Sequence, residues 1–374
     1  MGLFSRIRDS RLYSGAFFSL SLTITGLAPG WCSSPNIKSI KLPPGFTIDQ
    51  YAEAPGARSL ALGSEGTVFV GTRGEDKVYA LTDADGDHKA ETVRVIAEGL
   101  DTPNGVAFRD GDLYVAEVNR ILRFPGIEAR LDDPPPFEVV TDAYPEDRHH
   151  GWKYIAFGPD GLLYVPVGAP CNVCEREEPY ASITRLNVDT GQWDVFASGI
   201  RNTVGFDWRP STGVFWFTNN GRDWMGDTKP PDSLHRAPAP GLNFGFPSCH
   251  AGVPDPEYGQ GVDCSEFAPA QLLLPAHCAP LGMVFYDGDM FPERYRERIF
   301  IAEHGSWNRA TPTGYRLSMA SFKQDGAMKY EIFISGWLQD GEAWGRPVDV
   351  LILHDGSLLV SDDRAGRIYR ISYQ

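Results

Sequence analysis

The residues best equipped for chemistry are a histidine pair at 149 and 150, an Arg-Asn pair at 201 and 202, and a His/Arg cluster from 304 to 309. His149-His150 runs from a loop straight into Gly-Trp-Lys-Tyr-Ile-Ala-Phe-Gly-Pro-Asp, placing an imidazole at a strand entrance. A neutral imidazole accepts a hydroxyl proton near physiological pH, which oxidation of an alcohol or hemiacetal requires before hydride leaves carbon. A loop histidine bonded to backbone is the other reading of the same pattern. Ile200-Arg201-Asn202 offers a permanent cation and an amide, or an arginine bridging two elements through a carboxylate. His304, Trp307 and Arg309 lie in Ala302-Glu-His-Gly-Ser-Trp-Asn-Arg309, and Arg346 in Gly345-Arg-Pro347. Cations gathered at one loop end of an acidic chain point to an anionic ligand.

Oxygen ligands for a hard cation are available too. Thr218-Asn-Asn-Gly-Arg-Asp-Trp-Met-Gly-Asp227 and the following Pro231-Asp232 form a polar stretch suited to Ca²⁺ through carbonyl and carboxylate oxygens, though such turns also occur without metal. A second candidate is Asp83-Ala-Asp-Gly-Asp-His-Lys-Ala-Glu91. It departs from an EF-hand loop in having His88 at the glycine position and no acid at the twelfth, so it reads equally as a hairpin turn.

Past the first 32 residues stand Cys171, Cys174, Cys249, Cys264 and Cys278. In an oxidising compartment, Cys249 with Cys264 and Cys171 with Cys174 make plausible disulfides, leaving Cys278 over. A redox or zinc role for Cys171-Asn-Val-Cys174 lacks a second pair at zinc spacing, and Glu175 stands where c-type haem attachment needs His. No Gly-x-Gly-x-x-Gly opens a helix, and neither a Walker loop nor Gly-x-Ser-x-Gly occurs, so nucleotide and serine-hydrolase readings lack their devices.

The elements that must position these residues repeat along the chain. Six copies of an apolar strand, a Gly/Asp turn and an aromatic or β-branched strand run over 59–70, 105–115, 155–165, 205–216, 282–301 and 348–360. Equivalent strands recur every 45 to 60 residues or so, except for a gap of about 85 between the fourth and fifth copies. Further strands such as Lys77–Thr82 and Arg185–Asp189 follow, and no segment holds a helical period. The expectation is an all-β, six-bladed β-propeller of four-stranded antiparallel blades over residues 40–374, with its site in the loops at the channel mouth. Forty glycines and 29 prolines fit that density of turns.

A net charge of −15 disfavours nucleic acid and anionic membrane surfaces as partners. Residues 1–32, with Arg6, Arg8 and Arg11 before an apolar run from Ala16 to Leu27, read as a signal peptide or N-terminal anchor. The expected location is periplasmic or secreted.

Taken together, Leu42-Pro-Pro-Gly-Phe46, Gly56–Gly63, His149–Ile155, Gly168–Cys174, Arg201-Asn202, His277–Gly282 and His304–Arg309 resemble the soluble sugar dehydrogenases that depend on pyrroloquinoline quinone (PQQ). The sorbosone dehydrogenase-like branch is the most similar. The resemblance implies oxidation of an aldose or sugar aldehyde with PQQ and Ca²⁺ as cofactors, and a cytochrome or quinone as external electron acceptor. It implies His150 as general base, Arg201 as the cation facing the quinone oxygen, and Asn202, His304, Arg309 and Arg346 as cofactor contacts. It places Ca²⁺ on the Gly221 and Arg222 turn, with Asp223, Asp227 or Asp232 adding a carboxylate. One departure stands out, since glucose-oxidising members carry a second arginine where this chain has Val348. A calcium-dependent lactonase and a non-catalytic sugar-binding propeller are the competing expectations.

Overall fold

A computed structural model describes residues 37–323 and 328–374. The leader assigned to residues 1–32 lies outside the described residues. Each expected repeat becomes the inner hairpin of a blade. Blade 1 comprises Ala57–Leu62, Val68–Thr72, Val78–Thr82 and Thr92–Ala97, and blade 2 comprises Gly105–Arg109, Asp112–Ala116, Ile121–Phe124 and Glu138–Thr141. Blade 3 runs through Ala156–Phe157, Leu163–Val167, Ser182–Leu186 and Trp193–Ser198. Blade 4 uses Phe206–Trp208, Phe215–Asn219, Asp232–Ala237 and Leu272–Leu274. Blade 5 uses Pro280–Phe285, Ile299–Glu303, Arg316–Phe322 and Met328–Ser335.

Blade 6 is made from both ends of the described chain. Pro347–Ile352, Leu358–Asp362 and Arg367–Tyr373 supply three strands, and Phe46–Glu53 adds the outer one, with Phe46 opposite Tyr373. The pairing closes the ring and removes an otherwise open edge. The long gap between the fourth and fifth repeats is also accounted for. Its Leu242–Asn243 joins blade 3 as a fifth, parallel strand, and Cys249–His250 pairs with Val253–Pro254 in a small hairpin.

The apolar side chains of each pleat pack between neighbouring blades. Phe69 of blade 1 stacks on Phe108 of blade 2, and Tyr164 of blade 3 stacks on Phe215 of blade 4. Alternation within each strand therefore faces both sides of a blade into core, so second strands such as Val68–Thr72 and Leu163–Val167 are buried throughout. Both expected disulfides form, Cys171–Cys174 and Cys249–Cys264, and Cys278 is free and buried. Among the described residues no helix is long and apolar enough to cross a membrane.

The channel itself is plugged. Val204, Leu281 and Val348 form a buried apolar cluster against Trp152 and Tyr154. Val348 is thus part of the channel floor rather than a gap in a cation array, because an arginine there would lie among apolar side chains.

Candidate active site

In an antiparallel blade, the loop entering the first strand and the loop joining the second to the third lie at the same end. His150, Arg201 and Arg346 enter blades 3, 4 and 6, while Arg73, Gly221 and His304 follow the second strands of blades 1, 4 and 5. Their convergence produces a cavity of about 590 Å³ above the apolar plug. Of the residues expected from sequence, His150, Arg201, Asn202, Gly221, Asp223, Asp232, His304 and Arg346 line it.

Three do not. Arg309 donates through Nη1 to the Ala276 carbonyl, 3.0 Å away. The Arg222 guanidinium, as distinct from the backbone carbonyl expected to face Ca²⁺, turns to the buried Asp255 carboxylate at 2.5 Å, and Asp227 accepts the Ala310 N–H at 3.1 Å. At a tight turn successive side chains diverge, so a motif read as a block sends only part of itself inward. Residues that sequence reasoning did not select include Arg58, Arg73, Trp152, Asn220 and Asn308. Arg73 was discoverable, since it follows the second strand of its blade just as His304 does.

His150 sits at φ +52°, a left-handed conformation that costs a non-glycine residue some strain. Its Nδ1 lies 2.8 Å from the Ala169 carbonyl. That oxygen can only accept, so Nδ1 carries the proton and Nε2 keeps its lone pair. Burial, then the Arg201 and His149 charges, hold its pKa well below 6.5. The imidazole is therefore a neutral acceptor.

Arg201 is 3% exposed and fully engaged. Its Nε donates to the Asn172 carbonyl, Nη1 to the carbonyls of Asn220 and Gly221, and Nη2 to Asn172 Oδ1 and Asp223 Oδ2. Five acceptors for five N–H groups make it a fixed charge rather than a mobile donor. Asp232, raised to about 6 by burial, accepts the N–H groups of Gly221 and Ala279 at 2.8 and 2.9 Å.

The opposite wall is cationic. Arg58 donates to Asn104 Oδ1 and pairs with Asp363, each at 2.8 Å. Arg73 stacks on Trp152 with its guanidinium carbon 3.7 Å from the ring centre, and Arg346 donates to the carbonyls of His304 and Gly305. Neither Arg73 nor Arg346 has a carboxylate within ion-pair distance among the described residues. Burial and the Arg58 and Arg346 cations push Arg73 down to about 10. His304 is lowered to about 4, chiefly by burial, and its Nε2 lies 2.8 Å from Asp363 Oδ1. A neutral His304 donating there presents only an Nδ1 lone pair elsewhere, which suits a hydroxyl better than a carboxylate.

The cavity's open valences match a negatively charged ligand with polar edges. Two uncompensated arginines call for negative charge, and buried Trp152 Nε1 and Asn308 Oδ1 have no hydrogen-bond partner. For a hard cation, the Gly221 carbonyl and the Asp223 and Asp232 carboxylates supply oxygen of the right kind. No preformed cluster of acidic ligand atoms occurs here among the described residues; the one that does is Asp83, Asp85, Asp87 and Glu91, in the outer hairpin of blade 1.

Fold and site together define a six-bladed propeller with a histidine-and-arginine cavity at its channel mouth. The chain belongs to the TrAA12-like family, whose model matches residues 40–374. An uncharacterised protein of Borreliella burgdorferi is 31% identical over 392 residues, covering 97% of this chain and 98% of that one. The holo PQQ domain of Coprinopsis cinerea pyranose dehydrogenase is similar at a TM-score of 0.74 and 18% identity, over 89% of this chain and 97% of that one. The calcium structure of a Trichoderma reesei carbohydrate-active enzyme of family AA12 matches at 0.76 and 19%, over 91% and 98% respectively. For the PQQ-bound aldose sugar dehydrogenase of Streptomyces coelicolor the values are 0.63 and 19%, over 89% and 100%. At these identities the likeness establishes the propeller fold.

Proposed function

We propose that the protein is an oxidoreductase that removes hydride from a sugar, an aldose or a sugar aldehyde of the sorbosone type, to PQQ held with Ca²⁺. The observation that carries this reading is the pairing of a neutral, backbone-fixed His150 with two arginines that lack carboxylate partners in one cavity. The family and the sugar dehydrogenases among its structural neighbours support it.

Arg73 and Arg346 would hold the carboxylates of PQQ, with Trp152 and Asn202 along its plane. Gly221, Asp223 and Asp232 would hold Ca²⁺. Held there, PQQ would supply the hydride acceptor and Ca²⁺ a Lewis acid beside it. His150 takes the hydroxyl proton on Nε2, and the resulting charge on Nδ1–H is stabilised by the Ala169 carbonyl. Arg201 contributes a buried positive field that needs no reorganisation as negative charge develops. The apolar floor of Val204, Leu281 and Val348 excludes water from below.

Export to the periplasm or medium, after cleavage or retention of residues 1–32, agrees with the two disulfides. Electrons then leave to an external cytochrome or quinone. The test is titration of the apo-protein with PQQ and Ca²⁺, followed by the cofactor's absorbance, and then turnover of aldoses and sorbosone with an artificial acceptor. Saturable binding with turnover is expected; absence of PQQ binding at micromolar concentration overturns the reading.

A further inference from the structure

Asn172 stands inside the ring that the Cys171–Cys174 disulfide closes, on the loop joining Leu163–Val167 to Ser182–Leu186. It is tied to two site residues by four hydrogen bonds. Its carbonyl accepts from Arg201 Nε at 2.8 Å, and its Oδ1 accepts from Arg201 Nη2 at 3.0 Å. The same Oδ1 accepts the Asp223 N–H at 2.8 Å, and Nδ2 donates to the Asp223 carbonyl at 3.1 Å. Three residues earlier, Ala169 receives His150 Nδ1 on its carbonyl and donates its N–H to the Arg201 carbonyl at 2.8 Å.

One loop segment therefore touches the base, the buried cation and the aspartate that pairs with it. No strand of a blade supports residues 168–174, so something else must hold them. A disulfide across three bonds of sequence separation restricts the backbone of Asn172 and Val173 directly.

We infer that Asn172 is the positioning residue for Arg201 and Asp223, and that the Cys171–Cys174 ring is what fixes Asn172. Arg201 sits in the interior with every N–H committed, so loss of the Asn172 side chain frees one Nη2 hydrogen and orphans the Asp223 N–H. Removing a partner from a buried charged donor is costly, and the guanidinium moves to recover an acceptor. The substitution thereby acts on the site through Arg201 and through Asp223, the carboxylate paired with it.

This rests on the reading of Arg201 as the charge facing the cofactor, and the experiment separates the two. PQQ dissociation constants, with Ca²⁺ present, are measured by absorbance for the parent, Asn172→Ala, Arg201→Ala and the double variant, together with kcat and KM for glucose. A Cys171→Ser/Cys174→Ser variant is measured alongside. Asn172→Ala is expected to weaken PQQ binding by about tenfold in the parent and by several-fold less in the Arg201→Ala background, where only its bonds to Asp223 remain to be lost. It lowers kcat more than it raises KM, and the cysteine variant shifts affinity in the same direction. Equal losses in both backgrounds, or no loss in the parent, overturn the inference. Should the parent itself bind no PQQ, the dehydrogenase reading fails, and a crystal structure of Asn172→Ala decides the positioning claim. A displaced Arg201 upholds it, and an unmoved one refutes it.

Discussion

His150 and Gly168 approach so closely that no side chain fits between them: a Cβ added at Gly168 would lie 2.5 Å from His150 Cβ and 3.2 Å from Asn202 Oδ1. The glycine belongs to the strand exit that carries Ala169, the partner of His150 Nδ1. Gly168→Ala must push the imidazole off that carbonyl. Turnover is expected to fall by at least about tenfold, with Tm changed by only a few degrees. Unchanged kcat in steady-state assays refutes the claim.

Because His150 is held neutral well below 6.5, the base stays competent as pH drops through 6.5. The acid limb of kcat/KM is expected below that value, where the imidazole finally protonates. His150→Ala should cost about 10² to 10⁴ in kcat while PQQ still binds. A limb centred at 6.5 would show an imidazole with no such environment.

Arg73 and Arg346 line the cavity from blades 1 and 6 without a protein carboxylate to satisfy them among the described residues. Replacing either by Ala should weaken PQQ binding by about 10- to 100-fold and flatten its salt dependence. Arg309→Ala, whose guanidinium meets the Ala276 carbonyl instead, should change PQQ affinity far less. Equal effects from all three would contradict this division.

Val348→Arg adds the second arginine that the resemblance leads one to expect, yet it buries a cation beside Val204 and Leu281. The expected result is destabilisation of several kcal/mol with no gain in PQQ affinity. Denaturant unfolding of both proteins measures it.

His235, in the third strand of blade 4 opposite Phe217, is lowered to about 3 by burial. Folded and unfolded states are both neutral there above pH 6.5, and below it only the unfolded state binds the proton. The stabilisation His235 gives is thus present above pH 6.5 and drains away as pH falls toward 3, at about 1.4 kcal/mol per unit. The stability difference between the parent and His235→Asn should shrink accordingly between pH 7.5 and 5. A constant difference excludes the linkage.

Blade repeats were legible because each inner hairpin is local, so strand alternation and its turn lie within about a dozen residues in every blade but the fifth, where the turn is longer. The partner of Phe46–Glu53 was not, since its strand lies at the other end of the chain and nothing in the intervening pattern points there. The same contrast holds at the site. His150, Arg201 and Arg346 were readable as strand-entry residues, whereas the departure of Arg222 to Asp255 depends on the insertion that carries Asp255. Asn172 stood in a motif read for its cysteines, and only the folded loop shows that the residue between them holds Arg201.

The seam in blade 6 has a consequence for biogenesis. Phe46–Glu53 pairs with Arg367–Tyr373, so blade 6 cannot be completed before both segments are available. The Arg58–Asp363 pair bridges blades 1 and 6 across that closure, and Arg58 forms part of the cavity wall. An anion held by Arg73 of blade 1 and Arg346 of blade 6 would span both sides of the join and, by mass action, act as a latch on the completed ring.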